Sequence, residues 1–157
     1  MRSISVTMFM TLDGVVQGLG RADEDTRGGF THGGWGPQYN DDVMAREMGK
    51  GMAAAGDLLF GRRTWQDFHA AWGHSTDGNS FTTLMNRATK YVASRTLRSA
   101  DEWENSVLLP GDAASSVAEL KAQPGNDLAI NGSASLVRSL HAAGLIDWFD
   151  PEGLSID

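Results

Sequence analysis

The chain has 157 residues, enough for one domain with its own apolar core, and carries thirteen Lys plus Arg against twenty Asp plus Glu, a net charge of −7 at pH 7. That balance has the wrong sign for binding nucleic acid or an anionic membrane, so any phosphate bound here must be held by local geometry. No cysteine is present, which excludes disulfides, thiolate metal sites and Cys nucleophiles.

In MRSISVTMFM, Ile4, Val6 and Met8 alternate with Ser3, Ser5 and Thr7, the period of a first strand, and the Asp13-Gly14 pair in TLDGVV marks the turn after it. The same stretch lacks the long apolar run of a signal peptide, and nothing approaches the roughly twenty apolar residues of a membrane span, so a cytoplasmic protein is expected. From Gln17 to Asn40 the chain is glycine-rich and aperiodic, and a loop of that length is usually functional or disordered. Asp41 and Asp42 open a helix in which Met44, Met48, Met52 and Ala55 form a buried stripe. DLLF is a buried strand, followed by a cationic turn, Gly61-Arg62-Arg63, and by a helix with Thr64 as its N-cap and Asp67 three residues later. Trp65, Phe68 and Trp72 give that helix one aromatic, inward face.

KYVAS is a third strand ending in Ser94-Arg95-Thr96, and SVLL a fourth, leading through Pro110-Gly111 to a helix from about Asp112 with Val117 and Leu120 inward. DLAI is a fifth strand that runs into Asn131-Gly132-Ser133 and a helix with Leu136, Val137 and Leu140, stopped by Gly144. LIDWF begins a sixth. No repeat or linker interrupts the series, and alternating strands and helices predict a single three-layer α/β domain.

Three of these strands, ending at Phe60, Ser94 and Ile130, are each followed by Gly, Ser, Thr or Arg, and in an α/β sheet such carboxyl ends can share one crevice. Free N–H groups where Gly132-Ser133 opens a helix suit a pyrophosphate. Arg62 and Arg63 add two guanidinium forks, and a 2′-phosphate could sit between them and Arg95, which points to NADPH. Neither G-x-G-x-x-G nor G-x-x-x-x-G-K-[ST] occurs, so another nucleotide fold is required. Asp13, at the tip of the first strand, is the first candidate for holding a proton or substrate, with Asp41 and Asp42 as rivals; all three also read as ordinary turn or helix-start acids. His32 and His74 lie on loops without metal-ligand spacing, and His69 and His141 read as structural. The tryptophans read mostly as core, although Trp35 on the glycine loop could cover a bound ring.

Together TLDGVV, FGRRTWQDF, YVASRTL and INGSASLVRSLHAAGLID resemble the dihydrofolate-reductase-like family, nearest to the reductase domain of bacterial riboflavin deaminase-reductases, from Ser3 to about Asp147. The resemblance implies a twisted, mostly parallel sheet that binds NADPH across the carboxyl ends of its strands. It places Gly61, Arg62, Arg63 and Thr64 at the adenosine phosphate, and Ser94, Arg95 and Thr96 beside the adenine ribose. Gly132, Ser133, Ala134 and Ser135 would hold the pyrophosphate, and Val15 and Val16 would lie near the nicotinamide. Asp13 and Asp41 would be the catalytic candidates for hydride transfer to a pterin-like substrate or an aminouracil of the riboflavin pathway. Members of that family continue past the sixth strand, so LIDWFDPEGLSID implies shortened C-terminal strands after about residue 147. An open sheet edge there would favour a homodimer. A non-catalytic nucleotide-binding or assembly module is the alternative.

Overall fold

The protein is described here by a computed structural model covering residues 1–149, in which residues 48, 51, 52 and 55 are described by their backbone alone. Six strands, β1 (Ile4–Thr7), β2 (Gly56–Gly61), β3 (Lys90–Ser94), β4 (Ser106–Pro110), β5 (Asp127–Asn131) and β6 (Trp148–Phe149), form one sheet in the order β4-β3-β2-β5-β1-β6. Every pairing among them is parallel. Helices α1 (Asp42–Ala55), α2 (Arg62–Phe68), α3 (Ser80–Arg87), α4 (Ala113–Ala122) and α5 (Ala134–Ala142) connect them.

Side chains alternate across each strand, and here both faces are apolar. Ile4, Val6, Leu59, Leu128 and Ile130 point to one face and pack with Val117 and Leu120 of α4 and with Leu136 and Leu140 of α5. Leu58, Phe60, Val92 and Ala129 point to the other and pack with Trp65 of α2, Met85 of α3 and Trp103. The result is the expected three-layer α/β fold. Burying a side chain of this kind stabilises by roughly 1.5–3 kcal/mol, so each face holds enough apolar surface to fix its helices.

The chain builds outward from β2 to β3 and β4, then returns to the other side of β2 with β5. Neighbouring strands β2 and β5 therefore send α2 and α5 to opposite faces, and a crevice opens beyond their carboxyl ends, as at the switch point of any open α/β sheet.

Three local expectations are corrected. The segment after Phe60 contains no separate turn: β2 ends at Gly61, α2 begins at Arg62, and Gly61, not Thr64, occupies the N-cap without any side-chain cap bond. Helix α3, capped by Asn79 Oδ1 accepting from Phe81 N at 2.8 Å, was not anticipated. The sixth strand starts at Trp148 instead of Leu145. In α1, Asp41 Oδ1 accepts from Met44 N at 2.8 Å, as a cap. Met44 is half-buried, whereas the side chains of Met48, Met52 and Ala55 lie outside the described residues. The expected shortening of the C-terminal strands after about residue 147 turns on residues 150–157, which lie outside the described residues. No helix among the described residues is long and apolar enough to cross a membrane.

Candidate functional site

The junctions after β2 and β5 touch. A Cβ added at Gly61 would fall 2.4 Å from Ser133 Oγ, so only glycine lets the two turns approach this closely. On the other side of that contact, Gly132 (φ 96°) and Ser133 (φ 70°) are both left-handed, a conformation that costs a serine about 1–2 kcal/mol. This kink turns β5 sharply into α5 and leaves the first N–H groups of the helix facing the crevice.

Around it lies a cleft of about 810 Å³ at the carboxyl ends of the strands. It is lined by Gly61, Arg62, Arg63 and Thr64 after β2, by Ser94, Arg95 and Thr96 at the end of β3, and by Ser133, Ala134 and Ser135 at the start of α5. Val16 joins them from the loop after β1. The structure thus brings together eleven of the thirteen residues expected at the cofactor: Val15 and Gly132 do not line the cleft. Nor do Asp13 and Asp41. Asp13 is exposed and accepts a hydrogen bond from Thr11 Oγ1 within its own turn, and Asp41 caps α1. Trp35 also stays outside the lining, its Nε1 donating to Gln17 O at 2.9 Å.

Residues that sequence reasoning missed complete the wall. Arg138 and Ser139 lie on α5 past Ser135, and i+3 spacing from Ser135 could have found Arg138. Arg27, Asp25 and Glu24 come from the aperiodic loop, where nothing in the pattern of residues announces a position.

Five arginines therefore face one cleft in a chain of net charge −7. Among the described residues, Arg62, Arg63, Arg95 and Arg138 form no ion pair. Arg62 Nη1 donates to Thr96 Oγ1 at 3.0 Å, which joins the ends of β2 and β3. Ser94 Oγ accepts from Thr96 N at 3.2 Å and Leu97 N at 3.0 Å, holding the β3 turn. Of the acids on the wall, Asp67 accepts from Arg21 at 3.1 Å, Asp112 caps α4 by accepting from Ser115 N at 3.0 Å, Glu24 accepts from Arg21 N at 3.0 Å, and Asp25 pairs with Arg27. That backbone bond from Ser115, with a smaller contribution from Arg95, holds the Asp112 carboxyl below its usual value. Four guanidinium groups outside any ion pair, together with the start of α5, suit the cleft to a multiply charged anion.

Comparison with known proteins agrees with this architecture. The family model described as the RibD C-terminal domain matches residues 2–150. Among solved structures, a candidate riboflavin biosynthesis protein from Shewanella sp. PV-4 superposes with a TM-score of 0.56 at 19% identity, over 94% of this chain and 73% of the other. At that identity the likeness speaks for the fold, which is the one the resemblance to dihydrofolate-reductase-like proteins implied. No curated protein sequence matches the chain.

Proposed function

This chain belongs to the family of the RibD C-terminal domain, a reductase domain of riboflavin biosynthesis, and on that premise we propose that it binds NADPH in the arginine-lined cleft and reduces a small heterocycle, aminouracil-like or pterin-like. The observation that carries the reading is the meeting of four unpaired guanidinium groups with the start of α5 at the β2/β5 switch point. These donors fit a dinucleotide with three phosphates: the α5 start and Ser133–Ser135 for the pyrophosphate, and Arg62, Arg63 and Arg95 for the 2′-phosphate.

When bound, the cofactor supplies the hydride. The chain's part is to hold it. Val16, on the loop after β1, lies on the wall where an apolar ring can rest, and the guanidinium groups fix the opposite, anionic end. Asp13, three residues before Val16, is proposed as the polar group at the substrate end, although it does not itself line the cleft.

NADPH should bind more tightly than NADH. Each charge-assisted bond contributes roughly 1.5–3 kcal/mol, so Arg62→Ala or Arg63→Ala should cost about one to two orders of magnitude in NADPH affinity and leave NADH almost unchanged. Equal losses for both cofactors in a calorimetric titration, or none, would refute the phosphate assignment. The binding-only module is the competing reading, favoured by the absence of Asp13 and Asp41 from the cleft lining. Oxidation of NADPH in the presence of aminouracil or pterin substrates decides between them, and Asp13→Asn should then slow turnover while leaving cofactor affinity intact.

A further inference from the structure

The aperiodic loop after β1 brings one more guanidinium to the cleft, that of Arg27, and the loop is built around it. Arg27 Nε donates to Asp25 Oδ1 at 2.7 Å and Nη2 donates to Asp25 Oδ2, so the two side chains meet along one whole edge of the guanidinium. Gln17 Nε2 donates to both carbonyls beside this pair, Asp25 O at 3.0 Å and Arg27 O at 2.9 Å, while Arg21 ties the loop to Asp67 of α2 at 3.1 Å. The pair is lopsided: the Asp25 side chain is 18% exposed and that of Arg27 65%. The acid is packed into the loop and the base is held out from it. The Arg27 bond pulls the Asp25 carboxyl down to about 2, so the hold persists at every physiological pH.

A guanidinium has five N–H donors. Asp25 takes the Nε–H and one on Nη2, and the other three, on Nη1 and Nη2, have no acceptor among the described residues. Those three donors form a second edge, the kind that takes a phosphoryl group by two parallel bonds. We propose that Arg27, presented by Asp25, is a phosphate-binding residue on the loop side of the cleft, closing the site against the arginines of the sheet side. The inference rests on reading the cleft as a phosphate site, and the phosphoryl group could belong to the cofactor's pyrophosphate or to a phosphorylated substrate.

The role of Asp25 separates positioning from simple charge. If proximity of charge were all that counted, removing a carboxylate from an anion site would tighten anion binding. If Asp25 presents Arg27, removing it loosens binding because the guanidinium is no longer pre-organised. Wild type, Arg27→Ala, Arg27→Lys and Asp25→Ala should be titrated calorimetrically with NADPH, NADH, inorganic pyrophosphate and ribose 5-phosphate, with melting temperatures recorded in parallel. Arg27→Ala should weaken binding about tenfold, a single charge-assisted contact at a partly exposed site. Asp25→Ala should weaken it several-fold, and Arg27→Lys should recover only part, having charge without the second donor edge.

Losses shared by NADPH, NADH and pyrophosphate assign the phosphoryl group to the cofactor; a loss confined to ribose 5-phosphate assigns it to the substrate. Unchanged affinity for all four ligands in Arg27→Ala, tighter binding in Asp25→Ala, or a wild type that binds none of them would overturn the inference. A wild type that binds pyrophosphate or ribose 5-phosphate but neither dinucleotide would instead refute the NADPH reading and leave the Arg27 comparison intact.

Discussion

Two residues, Gly61 and Ser133, show how local stereochemistry makes the crevice. The missing Cβ of one admits the hydroxyl of the other, and the left-handed serine is what aims α5 across the sheet ends. Gly61→Ala should destabilise by about 1–3 kcal/mol, since its methyl group would be forced against Ser133 and a packed junction cannot yield freely. Ser133→Gly removes both the obstacle and the left-handed penalty, so by itself it should stabilise by up to about 1 kcal/mol, while Ser133→Ala keeps the penalty. The informative measurement is the double mutant in urea: Gly61→Ala should cost much less in the Ser133→Gly background. Full additivity would show that the two junctions do not press on one another. Gly61 was legible in the cationic turn with Arg62 and Arg63, and Ser133 in the Gly132-Ser133 helix start, but not their contact, because nothing local says that β2 and β5 are neighbours.

Among the elements, α3 is the one held in the least expected way. Lys90 at the start of β3 is fully buried, and its Nζ donates to the C-terminal carbonyls of that helix and its cap, Met85 at 2.9 Å, Ala88 at 2.8 Å and Asn86 at 3.3 Å, with the ring of Trp103 4.7 Å away. It thus does for a helix C-terminus what a surface lysine does more loosely. Burial lowers its pKa from 10.5 to about 8, against a small opposing pull from Glu104. The folded value lies below the unfolded one, so the unfolded chain binds the proton more readily between about pH 8 and 10.5, and folding stability should rise with pH across that window. Urea midpoints at pH 7.5 and pH 10 test this: Lys90→Met should lose most of the pH-dependent gain, and an identical gain in the variant would move its origin elsewhere. Element-level reading from sequence succeeded wherever a strand met a polar turn. It failed at α3 although Phe81, Leu84, Met85 and Ala88 carry the helical period and Asn79 a cap, signals masked by the polar run before them. It also misplaced the cap of α2, because a strand that passes straight into a helix leaves no room for the usual hydroxyl. Arg27 was illegible for another reason: its place depends on Gln17 gathering two carbonyls far along a loop with no period at all.

For the whole molecule, we expect a homodimer. β6 pairs only with β1 among the described residues, and its Trp148 and Phe149 are 52% and 51% exposed, two aromatic rings on a sheet margin. Light scattering at micromolar concentration should give twice the 16.9 kDa chain mass, and Trp148→Glu should lower it; a monodisperse species at 16.9 kDa would rule out association. The seating of β1 is a separate matter. It lies between β5 and β6, and its first hydrogen bonds run to residues near the far end of the chain: Leu128 N donates to Ser3 O at 2.9 Å, and Asp147 Oδ2 accepts from Ile4 N at 2.7 Å while also receiving Lys121 of α4. During synthesis β1 emerges before either of its neighbours, β5 and β6, and must wait unpaired until more than a hundred further residues have followed. Its apolar side chains are exposed throughout that interval, and long-range pairing of this kind makes folding slow and late. The loop that carries Arg27 follows that same strand, so the loop side of the cleft cannot take its place until β1 has entered the sheet.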